Sequence, residues 1–250
     1  MRNKLLLALA FSAMLLGGSA QGWAASLVAN INVSTQTMTV VKHGRVIHTW
    51  KVSTARKGYI TPRGTWRPKR MHKMWHSRKY DMSPMPYSVF YHGGYAIHGT
   101  NYVKKLGRPA SHGCVRMANQ DVVELARLVH RHATPDLAAA SLDRLAANPR
   151  ATREIPLARP VTLRIVYDRL ELRGDELVVH PHIYSRTDRR SLAEQATEKL
   201  AARGTPVDPT WLALRLEALD ADGGTIPLAG PVAEVGGGVA ARAVVAAAER

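Results

Sequence analysis

Valine, isoleucine and other apolar residues recur in short runs through residues 27–51, and this pattern predicts β-structure for that part of the chain. Polar turns at 34–36 and 42–45 divide the stretch into runs of strand length. A second β-like stretch at 87–97 is interrupted by two adjacent glycines. Short strands joined by polar or glycine-containing turns predict a mainly β domain of sandwich or barrel type.

Helical spacing first occurs after Asn119, where apolar residues at 122, 123, 125, 126 and 129 predict a helix that ends near His132. Residues 133–158 are rich in Ala, Asp, Asn and Pro, and we expect an insertion with a short helix there. Alternation at 161–166 predicts a strand, and 176–179 resembles a partner for it.

The last sixty residues have a different pattern from the rest of the chain. Leucine and alanine recur at helical spacing in two places, and each place is followed by glycine and proline: Leu192, Ala196, Leu200 and Leu212, Leu216, Leu219. We expect a small mixed α/β appendage of unknown role here. The Gly- and Ala-rich tail from residue 236 is expected to be poorly ordered.

The first 25 residues have the features of a secretory signal peptide. Arg2 and Lys4 precede an apolar run at 5–16, and small residues at 18–20 and 24–25 offer cleavage sites. The run is too short to span a bilayer, and no cysteine lies near these sites to carry a lipid. We therefore expect an exported, periplasmic protein with no integral membrane span after processing; a buried core helix is the alternative.

Positive charge is concentrated in the first half of the mature chain. Residues 26–132 hold 18 Lys and Arg against 3 Asp and Glu, whereas residues 133–250 hold 15 against 16. Such a field attracts polyanions. We expect no nucleic acid partner for an exported protein, which leaves carboxylate-bearing wall peptides, acidic lipids and anionic wall polymers. A merely solubilising charge is the alternative.

The chain has a single cysteine, Cys114. Exported proteins normally use cysteines in pairs as disulfides, so a lone thiol needs another explanation. It is either a small buried core residue or a reactive group, and the count alone leaves both readings open.

The residues around Cys114 suit thiol chemistry. Ser-His-Gly-Cys-Val-Arg occupies 111–116, and Tyr-Ala-Ile-His-Gly-Thr occupies 95–100. A thiol becomes a good nucleophile only as thiolate, and a nearby imidazole can accept its proton and later return it to a leaving amine. Gly113 allows the backbone to turn so that successive N–H groups face a developing oxyanion.

These motifs resemble the signature of the L,D-transpeptidase catalytic domain, the YkuD family. Val-Ser-Thr at 52–54, Thr-Pro-Arg-Gly-Thr at 61–65 and the stretch 80–87 are also similar to family elements, in the same order. The resemblance covers about residues 27–168. It implies a β-sandwich or barrel-like catalytic domain at 26–168, with a helix after the Cys114 motif, and an extension at 169–250.

The resemblance implies a role for each matching residue. Cys114 matches the nucleophile and His98 the proton donor and acceptor. Gly99 matches a position that orients the imidazole, here through its backbone carbonyl. His112 and Gly113 match the backbone of the oxyanion site, and a structural role is preferred for the His112 ring.

Three further residues are expected at the substrate: Arg116, Tyr80 and Ser111. Arg116 either supports the loop or meets a substrate carboxylate. Ala55 departs from the family pattern, since many members have glycine after Val-Ser-Thr, and this puts only the local turn in doubt.

Other chemistries fit the sequence less well. His72 and His76 have the spacing of a zinc helix, but no Glu follows His72, and neither 130–132 nor 180–182 adds a ligand at convincing spacing. The glycines at 236–238 lack the flanking residues of a phosphate loop. We expect no metal and no cofactor.

The resemblance implies transfer between peptidoglycan stem peptides. Cys114 would attack a tetrapeptide stem, release the terminal D-residue, and pass the acyl group to a stem amine, an outer-membrane lipoprotein, a free D-amino acid or water. Carbapenems would acylate the same thiol. The alternatives are an L,D-carboxypeptidase acting at the same bond and a non-catalytic wall-binding module.

Overall fold

Two five-stranded sheets form the main body of the protein in the computed structural model, which describes residues 27–134, 144, 154–184 and 190–228. The first sheet has the order β3-β2-β1-β10-β4. Its strands are β1 (Leu27–Asn32), β2 (Thr37–Lys42), β3 (Arg45–Lys51), β4 (Gly64–Trp66) and β10 (Thr162–Val166). His43 and Gly44, both with positive φ, form the tight turn between β2 and β3.

The second sheet has the order β8-β7-β6-β5-β9. Its strands are β5 (Arg70–Ser77), β6 (Ser83–His92), β7 (Tyr95–Thr100), β8 (Val115–Ala118) and β9 (Glu154–Pro156). Strand β9 falls within 133–158, so the end of the expected insertion is a sheet strand paired with β5. The rest of that stretch, apart from residue 144, and the expected signal peptide and tail lie outside the described residues.

Helix α1 (Asn119–Ala133) follows β8 directly and packs on β6, β7 and β8. Its buried face includes Val122, Leu125 and Val129, as the helical spacing predicts. Apolar residues of both sheets and of α1 join in one buried cluster, so the sheets and the helix share a core. The mainly β, sandwich-like fold class with a helix after the Cys114 motif is confirmed.

The C-terminal unit is a three-stranded sheet covered by two helices. Its strands, in the order β11-β12-β13, are β11 (Leu170–Arg173), β12 (Glu176–Val179) and β13 (Gly224–Pro227). Its helices are α2 (Leu192–Arg203) and α3 (Pro209–Leu219). Eight buried residues form a separate core there. The mixed α/β appendage is confirmed.

The expected pairing of 161–166 with 176–179 is wrong. Strand β10 lies between β1 and β4, and both of its edges are therefore occupied. Strand β12 pairs instead with β11 and β13. The C-terminal unit is nevertheless joined to the main body: Ile183 and Tyr184 pack against the main core, and Asn32 Nδ2 donates to Asp168 O at 2.8 Å.

Candidate active site

Strands β7 and β8 place His98 and Cys114 on the same face of the second sheet. The strands run parallel, with His98 opposite Arg116 and Ile97 opposite Val115. Side chains alternate between faces along a strand. Because Cys114 is two residues before Arg116, its side chain shares the face of His98. Ile97 and Val115 point to the other face, into the main core.

His98 is buried and held by its neighbour. Nδ1 lies 2.8 Å from the carbonyl oxygen of Gly99. A carbonyl only accepts, so Nδ1 carries the ring proton and Nε2 has a lone pair. Burial, the largest effect, and the positive charge of Arg116 together lower the pKa of His98 to about 4, against the opposing effect of the Gly99 hydrogen bond. The imidazole is therefore neutral at pH 7.

Cys114 lies in a half-buried, mostly apolar position. It packs with Met85, Phe90 and Ala96. Burial raises the pKa of the thiol, whereas the hydrogen bond with the Ala96 backbone and the charge of Arg116 lower it. Burial is the largest of these effects, so the thiol, like the imidazole of His98, is neutral at pH 7.

The loop that presents Cys114, residues 111–114, is fixed by its own hydrogen bonds. Ser111 Oγ donates to the Cys114 carbonyl at 2.6 Å and accepts from the Gly113 N–H at 2.9 Å. Thr61 Oγ1 accepts from the Ala55 N–H at 3.0 Å and donates to the Gly113 carbonyl at 2.9 Å. The Cys114 loop is thus tied to the segment that contains both Ala55 and Thr61.

Two residues with expected roles in this loop form hydrogen bonds within it. Ser111 has no exposed surface and its hydroxyl bonds within the loop, so it holds the loop and does not face a substrate. The Gly113 N–H, expected to face an oxyanion, donates to Ser111 Oγ. An oxyanion would have to compete with that hydroxyl for the Gly113 N–H.

Gly113 has a backbone conformation and surroundings that admit no side chain. Its φ is +130°, and an added Cβ would overlap the Tyr95 ring and lie 2.8 Å from the Ile60 carbonyl oxygen. We expect Gly113→Ala to lower the free energy of unfolding by about 3 kcal/mol, since strain and overpacking add. Urea denaturation measures this.

Gly94→Ala is the matched control, because a Cβ at Gly94 would meet nothing within 4 Å. This variant should unfold within about 0.5 kcal/mol of the wild type. Equal stability of the two variants would show that the Cys114 loop relaxes around a side chain, contrary to the tight packing seen at Gly113.

His112 lies between two aromatic rings on the outer side of the loop. The Tyr80 ring stacks on it with the centroids 4.3 Å apart, and the Tyr59 ring meets it edge-on at 4.6 Å. Desolvation and the nearby cations Arg56 and Arg116 lower the pKa of His112. Tyr80, expected at the substrate, therefore contacts the Cys114 loop directly.

Arg116 supports the loop and acts electrostatically on the pair. Its Nη1 donates to the Ala110 carbonyl at 3.4 Å, and its backbone pairs with Ser53 in both directions at 2.9 Å. The guanidinium is half-buried, and its charge lowers the pKa values of both His98 and Cys114. Of the two expected roles, the structure describes loop support.

Gly99 and Ala55 both fit their positions closely. A Cβ at Gly99 would overlap Asn119 Oδ1 and lie 2.8 Å from Val122 Cγ1, so a side chain there needs these two side chains of α1 to shift. Ala55 is fully buried and is not among the residues with positive φ, so alanine is unstrained where many family members have glycine.

No group of three or more His, Cys, Asp or Glu side chains in residues 27–134, 144, 154–184 and 190–228 could hold a metal ion. Within the same ranges, no helix has the length and apolarity needed to cross a membrane.

Residues 27–163, more than half of the chain, match the model of the L,D-transpeptidase catalytic domain, YkuD. The chain belongs to the YkuD family. A curated relative, the YkuD protein of Bacillus subtilis, is 54% identical over 35 residues, which is 14% of this chain and 21% of the relative. The chain thus spans about a fifth of the length of the curated relatives that it matches.

Solved L,D-transpeptidases are also similar to this YkuD-family chain. An enzyme from Stackebrandtia nassauensis is 22% identical with a TM-score of 0.42. The aligned region covers 58% of this chain and 57% of that enzyme's chain. LdtMt1 in complex with imipenem is 17% identical with a TM-score of 0.40, and covers 56% and 59%. L,D-transpeptidase 3 of Mycobacterium tuberculosis, with a faropenem-derived adduct, is 17% identical with a TM-score of 0.37, and covers 56% and 60%.

Three residues of this YkuD domain have a place at the site that the sequence analysis did not assign. Thr61 links Ala55 to Gly113, Ser53 Oγ donates to the Arg108 carbonyl, and the Tyr95 ring packs on Gly113. Thr61 and Ser53 are in motifs that carried the resemblance, so a signal existed for them. Tyr95 begins the 95–100 motif, three residues before His98, but no role was predicted for it.

Proposed function

We propose that this protein is an exported L,D-transpeptidase that acts on peptidoglycan tetrapeptide stems through a thioester on Cys114. One observation carries the proposal: a buried, neutral His98 with Nε2 unprotonated shares a sheet face with the single thiol of the chain. Membership of the YkuD family supports the reaction class. Residues 1–26 are not described, so export to the periplasm belongs to the proposal.

In the first half-reaction, Nε2 of His98 accepts the Cys114 proton as sulfur attacks the carbonyl that precedes the terminal D-residue. Two neutral partners give an imidazolium and an anionic tetrahedral intermediate. The imidazolium then donates its proton to the leaving amine. The C–N bond breaks, the D-amino acid leaves, and a Cys114 thioester remains.

In the second half-reaction, His98 accepts a proton from an incoming amine, which attacks the thioester. The C–S bond breaks, the new amide forms, and the proton returns to the Cys114 sulfur. A second stem or an outer-membrane lipoprotein supplies the amine in our proposal. With water instead, the same steps give an L,D-carboxypeptidase. The thiol and imidazole suffice for every proton transfer, and a cofactor has no step to perform.

The charge of the domain supports a substrate with several carboxylates. Arg56, Lys79 and Arg116 all act on the ring of His112, beside Cys114. We also propose that carbapenems acylate Cys114, since another L,D-transpeptidase occurs in complex with imipenem.

Purified protein and defined tetrapeptide muropeptides test the proposal. We expect cross-linked dimers and free D-amino acid with the wild type and neither product with Cys114→Ala, as resolved by liquid chromatography and mass spectrometry. Tripeptide without dimers would establish the L,D-carboxypeptidase. Binding without any conversion would establish the wall-binding module and overturn the proposal.

A further inference from the structure

A cavity of about 810 Å³ lies between residues 57–63 and residues 182–184. This volume falls within the usual range of ligand sites, about 300–1,000 Å³. Four of its lining residues follow residue 163: Tyr167, His182, Ile183 and Tyr184. The matched family region therefore supplies one wall, and the chain beyond it supplies the other.

The cavity lining is positively charged. Lys57 and Arg63 line it together with His182, and no carboxylate is among the lining residues. His182 is already engaged, because Nδ1 lies 2.9 Å from the Tyr167 hydroxyl and Nε2 lies 3.6 Å from Asp220 Oδ1. Within the described ranges neither Lys57 nor Arg63 forms an ion pair, so two cationic groups remain for an anionic ligand.

Apolar surface accompanies these charges. Tyr59 and Ile60 line the cavity and are 39% and 59% exposed. Tyr167 lies under the Arg63 guanidinium, 5.8 Å from ring centroid to Cζ. A small inorganic anion would use only the cationic groups. A peptide with a free carboxylate would use the cations, the exposed apolar groups and the volume together.

The cavity wall is also the support of the Cys114 loop. Tyr59 packs edge-on against His112, the Ile60 carbonyl lies beside Gly113, and Thr61 donates to the Gly113 carbonyl. On the opposite wall, the Tyr184 hydroxyl lies 2.6 Å from Thr54 Oγ1 and donates to the Ala55 carbonyl at 2.8 Å. A ligand in the cavity is therefore separated from the Cys114 loop by a single segment of chain.

We propose that this cavity is a second peptide subsite, in which Lys57 and Arg63 bind a carboxylate of a peptidoglycan stem other than the one that acylates Cys114. The inference rests on the proposed transpeptidase function for the identity of the peptide. Residues 182–184 of the C-terminal extension form one wall of the subsite together with Tyr167, which gives the extension a direct part in substrate binding.

Titration of the acylated protein tests the subsite separately from the donor site. Imipenem is first used to acylate Cys114, and intact-protein mass spectrometry verifies the adduct. Calorimetry then measures the binding of a tetrapeptide stem to the wild type, to the double variant Lys57→Gln/Arg63→Gln and to the control Arg67→Gln/Lys69→Gln. The control removes the same charge from exposed residues outside the cavity lining.

We expect saturable binding to the acylated wild type, binding at least about tenfold weaker in the Lys57/Arg63 variant, and a change of less than about twofold in the control. Equal affinities in the two double variants would overturn the subsite, because general charge would then explain the binding. Tighter binding of inorganic phosphate than of the peptide would overturn the peptide as ligand.

The proposed function can fail without the subsite. If imipenem and tetrapeptide both leave wild-type Cys114 unmodified, the transpeptidase proposal falls. The same titration on Cys114→Ala protein then tests the subsite by itself. Peptide binding that depends on Lys57 and Arg63 would still establish the subsite. Peptide binding that does not depend on them would overturn it. Thermal unfolding of each variant verifies the fold.

Discussion

Replacing Cys114 with alanine is expected to abolish covalent reaction with imipenem and to lower transpeptidation by roughly 10⁴-fold or more, the scale seen when a nucleophile is removed. No other thiol exists in the chain to replace it. Cys114→Ser should retain little activity, because a hydroxyl ionises far less readily than a thiol. Intact-protein mass spectrometry measures the adduct.

The fold should survive both Cys114 substitutions. The side chain is half-buried beside Met85, Phe90 and Ala96, and alanine removes only its sulfur. Thermal unfolding within a few degrees of the wild type would exclude misfolding as the cause of inactivity. An imipenem adduct on the Cys114→Ala protein would show that another group reacts, and Cys114 would then not be the nucleophile.

Replacing His98 with alanine is expected to slow acylation by roughly a hundredfold or more, the usual scale for loss of a general base. His98→Asn sharpens the test. Its amide can still donate to the Gly99 carbonyl, as Nδ1 of His98 does at 2.8 Å, but it has no basic nitrogen. Stopped-flow measurement of imipenem acylation compares the two variants. If both variants lose the same acylation rate, the effect is due to the base at Nε2. If His98→Asn recovers the rate, the role of His98 is to position its neighbours.

The pH dependence of acylation follows from the same residue. Only unprotonated His98 can accept the thiol proton, and burial lowers its pKa to about 4. The wild-type rate should therefore stay level on acidification from pH 7 to about 5 and fall only near pH 4. An unperturbed histidine would lose its base near pH 6.5. A decline centred at pH 6.5 would show that His98 is solvated, or that another histidine is the base.

Stability should begin to fall at a higher pH than the acylation rate. Between pH 6.5 and 4 the unfolded chain protonates this histidine while the folded chain does not, so acidification favours unfolding. The free energy of unfolding falls only below pH 6.5, and this histidine lowers it by about 3 kcal/mol at low pH. His98→Asn should lack this component in urea denaturation at pH 7 and at pH 4.5.

His112→Ala is the matched histidine control for the activity tests. Its ring packs between Tyr80 and Tyr59, so its loss should loosen the loop and cost less than the loss of His98. If His112→Ala were the more damaging change, His112 would take the role of base.

The sequence alone determined much of the local structure and predicted which groups react. Short apolar runs between polar turns located β1 to β3, and helical spacing located α1, α2 and α3, because both patterns are local properties of the sequence. The motifs at 95–100 and 111–116 predicted Cys114 as nucleophile and His98 as base through their resemblance to a known family. The resemblance to the YkuD family followed from motifs in order, and the family is confirmed.

Only the tertiary structure decided which elements meet. Alternation at 161–166 predicted a strand but could not reveal that β1 and β4 are its neighbours, because pairing depends on contacts far apart in sequence. The burial of Ser111 and the link from Thr61 to Gly113 also depend on distant segments packing together. Tyr184 reaches Ala55 across 129 positions, and no local pattern records such a contact. Periodicity shows that a face is covered, whereas what covers it is determined by the packing of the whole chain.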